Sequence, residues 1–83
     1  MSKSQLKDKN FLITEIKEFL KELEGDVKKL NVRGEEGTIT RLKHISSGDL
    51  YLVFLDNEEE TQLEHLSRKD LENVYDKLLS KLM

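Results

Sequence analysis

Six consecutive apolar residues, Leu50-Tyr51-Leu52-Val53-Phe54-Leu55, stand between two turn clusters, Ser46-Ser47-Gly48-Asp49 and Asp56-Asn57-Glu58. A run this short, bounded by turn formers, reads as a β-strand apolar on both faces. Such a strand pairs on both sides and takes cover on at least one face. Its neighbours in sequence supply the pairing. Residues 38–45 are rich in β-formers, and residues 60–66 form a third, more polar strand. Short turns joining consecutive strands predict a three-stranded antiparallel meander, with 50–56 in the centre.

The flanks carry a different period. Leu12, Ile16, Phe19, Leu20 and Leu23 recur on one face of a helix, with Lys17, Glu18, Lys21 and Glu22 on the other. This predicts a helix over 11–24, with Gly25 as a left-handed stop. Near the other end, Leu71, Val74, Tyr75, Leu78, Leu79 and Leu82 repeat the pattern behind Ser67 and Asp70, a variant capping box. Asp70 and Glu72 near the start, and Lys77 and Lys81 near the end, suit the helix dipole. A helix over 68–82 follows.

Residues 26–36 admit two readings. Val27 and Leu30 continue the helical period past Gly25, or Val27, Leu30 and Val32 begin an irregular strand. Gly34-Glu35-Glu36-Gly37 is a turn in either case. The class is α+β: an N-terminal helix, a three-stranded antiparallel meander and a C-terminal helix, in one small domain over 1–83.

Alternation along the central strand puts Leu50, Leu52 and Phe54 on one face and Tyr51, Val53 and Leu55 on the other. If Asn57 and Glu58 are the two loop residues of the second hairpin, Leu63 lies opposite Leu52 and joins the first face. That face is therefore assigned to the core, with Leu52, Phe54, Leu71, Val74 and Leu78 inside. Ile39 and Leu42 differ in parity, which a bulge in their strand would reconcile. The helices can share one face of the sheet or cover one each. If they share one, Tyr51, Val53 and Leu55 form an apolar stripe flanked by charge, a candidate interaction face.

An 83-residue chain buries a thin core, and many chains of this size gain stability by pairing. Leu, Ile, Val and Phe make up about a third of it, enough for a folded domain. The formal net charge is −3, which argues against a dedicated nucleic-acid binder. With no cysteine there is neither disulfide nor thiolate metal site. The opening Met1-Ser2-Lys3-Ser4 reads as a natural start, and the chain has no apolar run of membrane-spanning length. The expected location is the cytoplasm, with no membrane association.

Residues that could carry chemistry are sparse. His44 and His65 fall on the two outer strands, too far apart to share a metal without converging. The acidic stretch 56–60 lacks the spacing of a calcium loop. No phosphate loop or nucleophile elbow is present. No enzyme, cofactor or metal is expected. A basic group is more distinctive: Lys28, Lys29, Arg33, Arg41 and Lys43 all lie within 28–43. Arg41 and Lys43 share a strand face, and Tyr51 is a candidate stacking ring. Basic side chains beside an aromatic ring on a sheet can hold single-stranded nucleic acid.

The segment from Val32 to Asn57 resembles a small SH3-like or Tudor-like barrel. The features concerned are the Gly34-x-x-Gly37-x-Ile39 turn, the strand after it, and the apolar strand ending in Asp56-Asn57. The likeness covers under a third of the chain. Only Tyr51 and Phe54 are in range for the aromatic cage of a Tudor-like domain. The resemblance implies an alternative fold, an SH3-like barrel with flanking helices, and an alternative function, a nucleic-acid-associated module. The leading expectation is a small non-catalytic protein–protein interaction or regulatory protein that self-associates or docks on another protein.

Overall fold

The structure is a computed structural model that describes residues 8–23, 27–45, 48 and 50–82, with residues 27, 28 and 82 described along the backbone only. Helix α1 (Lys9–Glu22) is followed by strands β1 (Val27–Arg33), β2 (Thr38–Ile45), β3 (Leu50–Leu55) and β4 (Glu60–Gln62). A single 3-10 turn, Leu63–His65, leads into helix α2 (Arg68–Leu82). The strands form one antiparallel sheet in the order β1-β2-β3-β4, so β1 and β4 are its edges. The α+β class and the flanking helices are as the sequence implies. Among the described residues the sheet has four strands rather than three, and it is an open sheet rather than a barrel closed by β1 and β4. Residues 27–33 supply the additional strand, with Leu30 and Val32 buried and Lys29, Asn31 and Arg33 exposed.

Local chemistry sets the ends of each element. The Asp8 carboxylate accepts from the Phe11 N–H at 2.8 Å and caps α1. The helix then buries Leu12, Ile16 and Leu20, one residue per turn. It stops at Glu22, where Leu23 turns extended and donates to the Leu20 carbonyl. The expected stop at Gly25 lies outside the described residues. At the start of α2, Ser67 Oγ accepts from the Asp70 N–H at 3.1 Å. Asp70 does not reciprocate; its carboxylate accepts from the Glu35 N–H at 3.1 and 3.2 Å. The cap thus ties α2 to the β1–β2 turn.

Thr40 is the bulge that the parity of Ile39 and Leu42 calls for. Ile39 pairs with Leu55 and Arg41 with Phe54, so β2 carries one extra residue between them. Thr40 Oγ1 donates to the Phe54 carbonyl at 3.1 Å, which steadies the irregular ladder. A second shift, between Lys29 and Val32, brings Val32 opposite Ile39. The first shift lets Ile39 and Leu42, of unlike parity, reach one face, and the second keeps Val32 in step with Ile39.

That face holds the core. Leu30, Val32, Ile39, Leu42, Tyr51, Val53 and Leu55 join Leu12, Ile16 and Leu20 of α1, and Leu71, Val74 and Leu78 of α2, in one buried cluster. Phe19 of α1 meets Tyr75 of α2 with ring centroids 5.5 Å apart, so the helices also pack on one another. Both helices therefore cover the same side of the sheet. The expected assignment of faces is reversed. Tyr51, Val53 and Leu55 are buried beneath the helices, while Leu50, Leu52 and Phe54 are half-buried on the opposite side. The cause is the β3–β4 turn. Leu52 pairs with Gln62, not Leu63, because the loop has three residues, Asp56, Asn57 and Glu58. The strand also ends early. Residues 63–65 form the 3-10 turn, which drops Leu63 into the core.

Candidate interaction face

The sheet face turned away from the helices is the candidate site. Its centre is β3, whose Leu50, Leu52 and Phe54 are half-buried. Cross-strand pairing builds rungs on either side of it. One complete rung runs Lys29, Arg41, Phe54, Glu60, from β1 to β4. A second complete rung runs Val27, Lys43, Leu52, Gln62, and a third pairs Ile45 with Leu50. The face has an apolar centre, the cations Lys29, Arg41 and Lys43 on β1 and β2, and one carboxylate, Glu60, on β4.

Arg41 is tied to the apolar centre. Its guanidinium carbon stands 4.3 Å from the Phe54 ring centroid, a cation–π contact. Thr40, Arg41, Phe54, Leu55, Asp56 and Glu58 line an open hollow of about 600 Å3 at this end of the sheet. Glu58 shapes the rim, with a φ of 71°, a left-handed conformation in a residue with a Cβ. Its N–H donates to the Leu55 carbonyl, while Glu59 donates to Asn57 Oδ1 at 3.0 Å and accepts from the Leu55 N–H.

Of the expected basic group, Lys29, Arg33, Arg41 and Lys43 are all exposed. Lys29 and Arg41 are directly paired, and Lys43 follows one rung on. Lys28 pairs along the backbone with buried Leu42, so its register position belongs to the helix-covered face. Tyr51, the expected stacking ring, lies in the core with its ring centroid 4.7 Å from that of His44. Phe54 holds the place on the open face that was expected for Tyr51. Burial of Tyr51, Val53 and Leu55 removes those three residues as an accessible interaction face. What could have exposed this arrangement in the sequence is the polarity of 60–62, since Glu60 and Gln62 suit an open face and Leu63 a core.

The remaining polar clusters lie elsewhere. His44 packs against Tyr51 on β3, and His65 is exposed on the 3-10 turn. Among the described residues, no group of three or more His, Asp or Glu side chains is placed to hold a metal ion. On the helix side, Lys17 Nζ donates to Glu64 Oε2 at 2.9 Å, joining α1 to the 3-10 turn. That hydrogen bond holds the Glu64 carboxyl below its ordinary value, against a smaller opposing effect of desolvation. Among the described residues, no helix is long and apolar enough to cross a membrane.

The chain matches no family model, and no curated protein or solved structure matches it significantly.

Proposed function

We propose that this protein is a small, non-catalytic interaction protein that self-associates through the open face of its sheet. One observation carries the reading. Both helices cover the same side, leaving Ile45, Leu50, Leu52 and Phe54 as a half-buried apolar stripe between charged flanks. An apolar centre with a polar rim is the anatomy of a protein interface. Burying such a stripe also suits a domain with a thin core of its own.

The edges of the sheet favour the face as the contact. β1 carries a bulge and the exposed cations Lys29 and Arg33, and β4 has only three residues. Both devices discourage strand addition. The footprint also sets the strength. Three strands about 4.8 Å apart and about 20 Å long offer about 300 Å2 per copy, below the roughly 800 Å2 of a standard interface. A weak, concentration-dependent dimer follows, dissociating at about 10 µM to 1 mM.

A second reading has its own observation. Lys29, Arg41 and Lys43 share the open face with Phe54, as a single-stranded nucleic-acid surface would require. Two features rank it lower. Arg41 already lies over the Phe54 ring, and Asp56, Glu58, Glu59 and Glu60 next to it repel phosphate.

Sedimentation velocity of the wild type and of Leu52→Glu, at concentrations spanning that range, tests the proposal. The substituted carboxylate would lie across the ladder from Lys43, so the fold should persist. The expected result is a wild-type dimer and a monomeric, folded variant. A wild type that stays monomeric but binds labelled oligonucleotides at about 150 mM salt, with affinity falling steeply as salt rises, would transfer the function to the second reading.

A further inference from the structure

Resting on the self-association just proposed, we infer that the second copy docks about a two-fold axis running along β3, so that Arg41 of each copy faces Glu60 of the other. The inference comes from the order of charge across one rung. Lys29 and Arg41 lie on one side of Phe54 and Glu60 on the other, each paired directly with its neighbour. The rung is polar from end to end, and a face-to-face pair with aligned strands has its two-fold axis either along the strands or perpendicular to them in the interface plane.

An axis perpendicular to the strands lays each strand over its own counterpart. It also reverses strand direction, so only the rung it crosses meets itself: through the Phe54 rung, Arg41 meets Arg41 and Glu60 meets Glu60, two like-charge contacts that oppose association. An axis along β3 keeps β3 over β3, so Leu50, Leu52 and Phe54 still pack on their copies. It exchanges the sides. β2 then lies over the β4 of the second copy, Arg41 faces Glu60, and Lys43 faces Gln62. The same rotation relates the two contacts, so each dimer gains the attraction twice, as an isologous interface requires.

Charge exchange distinguishes the axes. Arg41 and Glu60 are both exposed, so Arg41→Glu and Glu60→Arg leave the core untouched, and circular dichroism verifies each fold. Sedimentation velocity is run on the wild type, the two single variants and the double variant. With the axis along β3, each single variant dimerises about tenfold or more weakly, because like charges then face one another. The double variant recovers wild-type affinity, since the exchanged charges again meet as opposites. With the perpendicular axis through the Phe54 rung, Arg41→Glu replaces one like-charge contact by another, and neither single variant weakens the dimer. That result, or a double variant that fails to recover, overturns the inferred axis and leaves self-association standing. A wild type monomeric throughout the range overturns the self-association reading and the axis together.

Discussion

Asp70 accepts the Glu35 N–H through both carboxylate oxygens, at 3.1 and 3.2 Å, and so fastens the first turn of α2 to the loop between β1 and β2. It is the one charged side chain buried among the described residues. Asn73 adds a longer contact from the same helix, its Nδ2 donating to the Arg33 carbonyl at 3.4 Å. A carboxylate accepting a backbone N–H contributes about 1.5–3 kcal/mol. Asp70→Ala should lower the unfolding free energy by an amount in that range, and urea denaturation measures it. Hydrogen exchange at the Glu35 amide should accelerate in parallel. A stability equal to wild type would show that the clamp is inert.

Gly34 sits under the same carboxylate. A Cβ there would stand 2.9 Å from the Gly37 carbonyl oxygen and 3.2 Å from Asp70 Oδ2. Backbone cannot retreat as a flexible side chain can. Gly34→Ala should therefore destabilise by about 1–3 kcal/mol, an overpacking effect. Thermal melts read the change directly, and a melting temperature at or above wild type would contradict it.

Glu58 gives a substitution expected to stabilise. Its left-handed φ of 71° costs a residue with a Cβ about 1–2 kcal/mol. Asn tolerates that conformation and Gly accepts it freely, although Gly gives back part of the gain as chain entropy. Glu58→Asn should raise the unfolding free energy by a few tenths to about 1 kcal/mol. A loss of stability would mean that the Glu58 side chain has a role its backbone does not reveal.

The Lys17–Glu64 pair makes a pH-dependent contribution. The Glu64 pKa is lowered from 4.5 in the folded chain, chiefly by the hydrogen bond from Lys17. Below the unfolded value, the unfolded state binds more protons than the folded one, so stability rises with pH in that window. The contribution is complete above about 4.5 and is lost as pH falls through the lower, folded value. With the Glu64 side chain 38% exposed, solvent screening limits the pair to about 0.5–1 kcal/mol. Glu64→Gln should be less stable than wild type at pH 7, and the gap should shrink in strong acid. A gap independent of pH would assign the effect to packing.

Much of the fold is written in local pattern. The two helices, the three strands after residue 37 and the bulge near Ile39 all follow from spacing that each segment carries by itself. β1 is ambiguous in the sequence because Val27 and Leu30 continue a helical period, while Val27, Leu30 and Val32 equally begin an irregular strand. Its pairing with β2 is a contact between segments, which periodicity does not contain. The identity of the open face turned on one residue of register. Leu50–Leu55 is apolar on both sides, so its own sequence is silent about which side the helices cover. A two-residue loop of Asn57 and Glu58 would place Leu63 beside Leu52; the three-residue loop places Gln62 there instead. A shift of one residue exchanges the two faces of a strand. Arg41 and Lys43, by contrast, are legible as sharing a strand face, whereas Lys29 joins them only through the pairing of β1 with β2.

Core and open face can be separated by truncation. Leu42 is fully buried, and Leu42→Ala should cost about 2–5 kcal/mol. Leu52 is half-buried on the other side, and Leu52→Ala in the monomer should cost about 1 kcal/mol or less. Equilibrium unfolding at low protein concentration makes the comparison. Equal costs would mean that the second face is covered in the monomer.

The most direct test of the account is the dependence of methyl and amide chemical shifts on protein concentration, from about 10 µM to 1 mM. Dimerisation through the open face predicts that the methyl groups of Ile45, Leu50 and Leu52 shift together, along with the amides of Arg41 and Glu60. The methyl groups of Leu12, Leu42 and Leu71, inside the core, should stay in place. Spectra unchanged across the range, or shifts confined to the helix surface around Phe11 and Leu79, would contradict it.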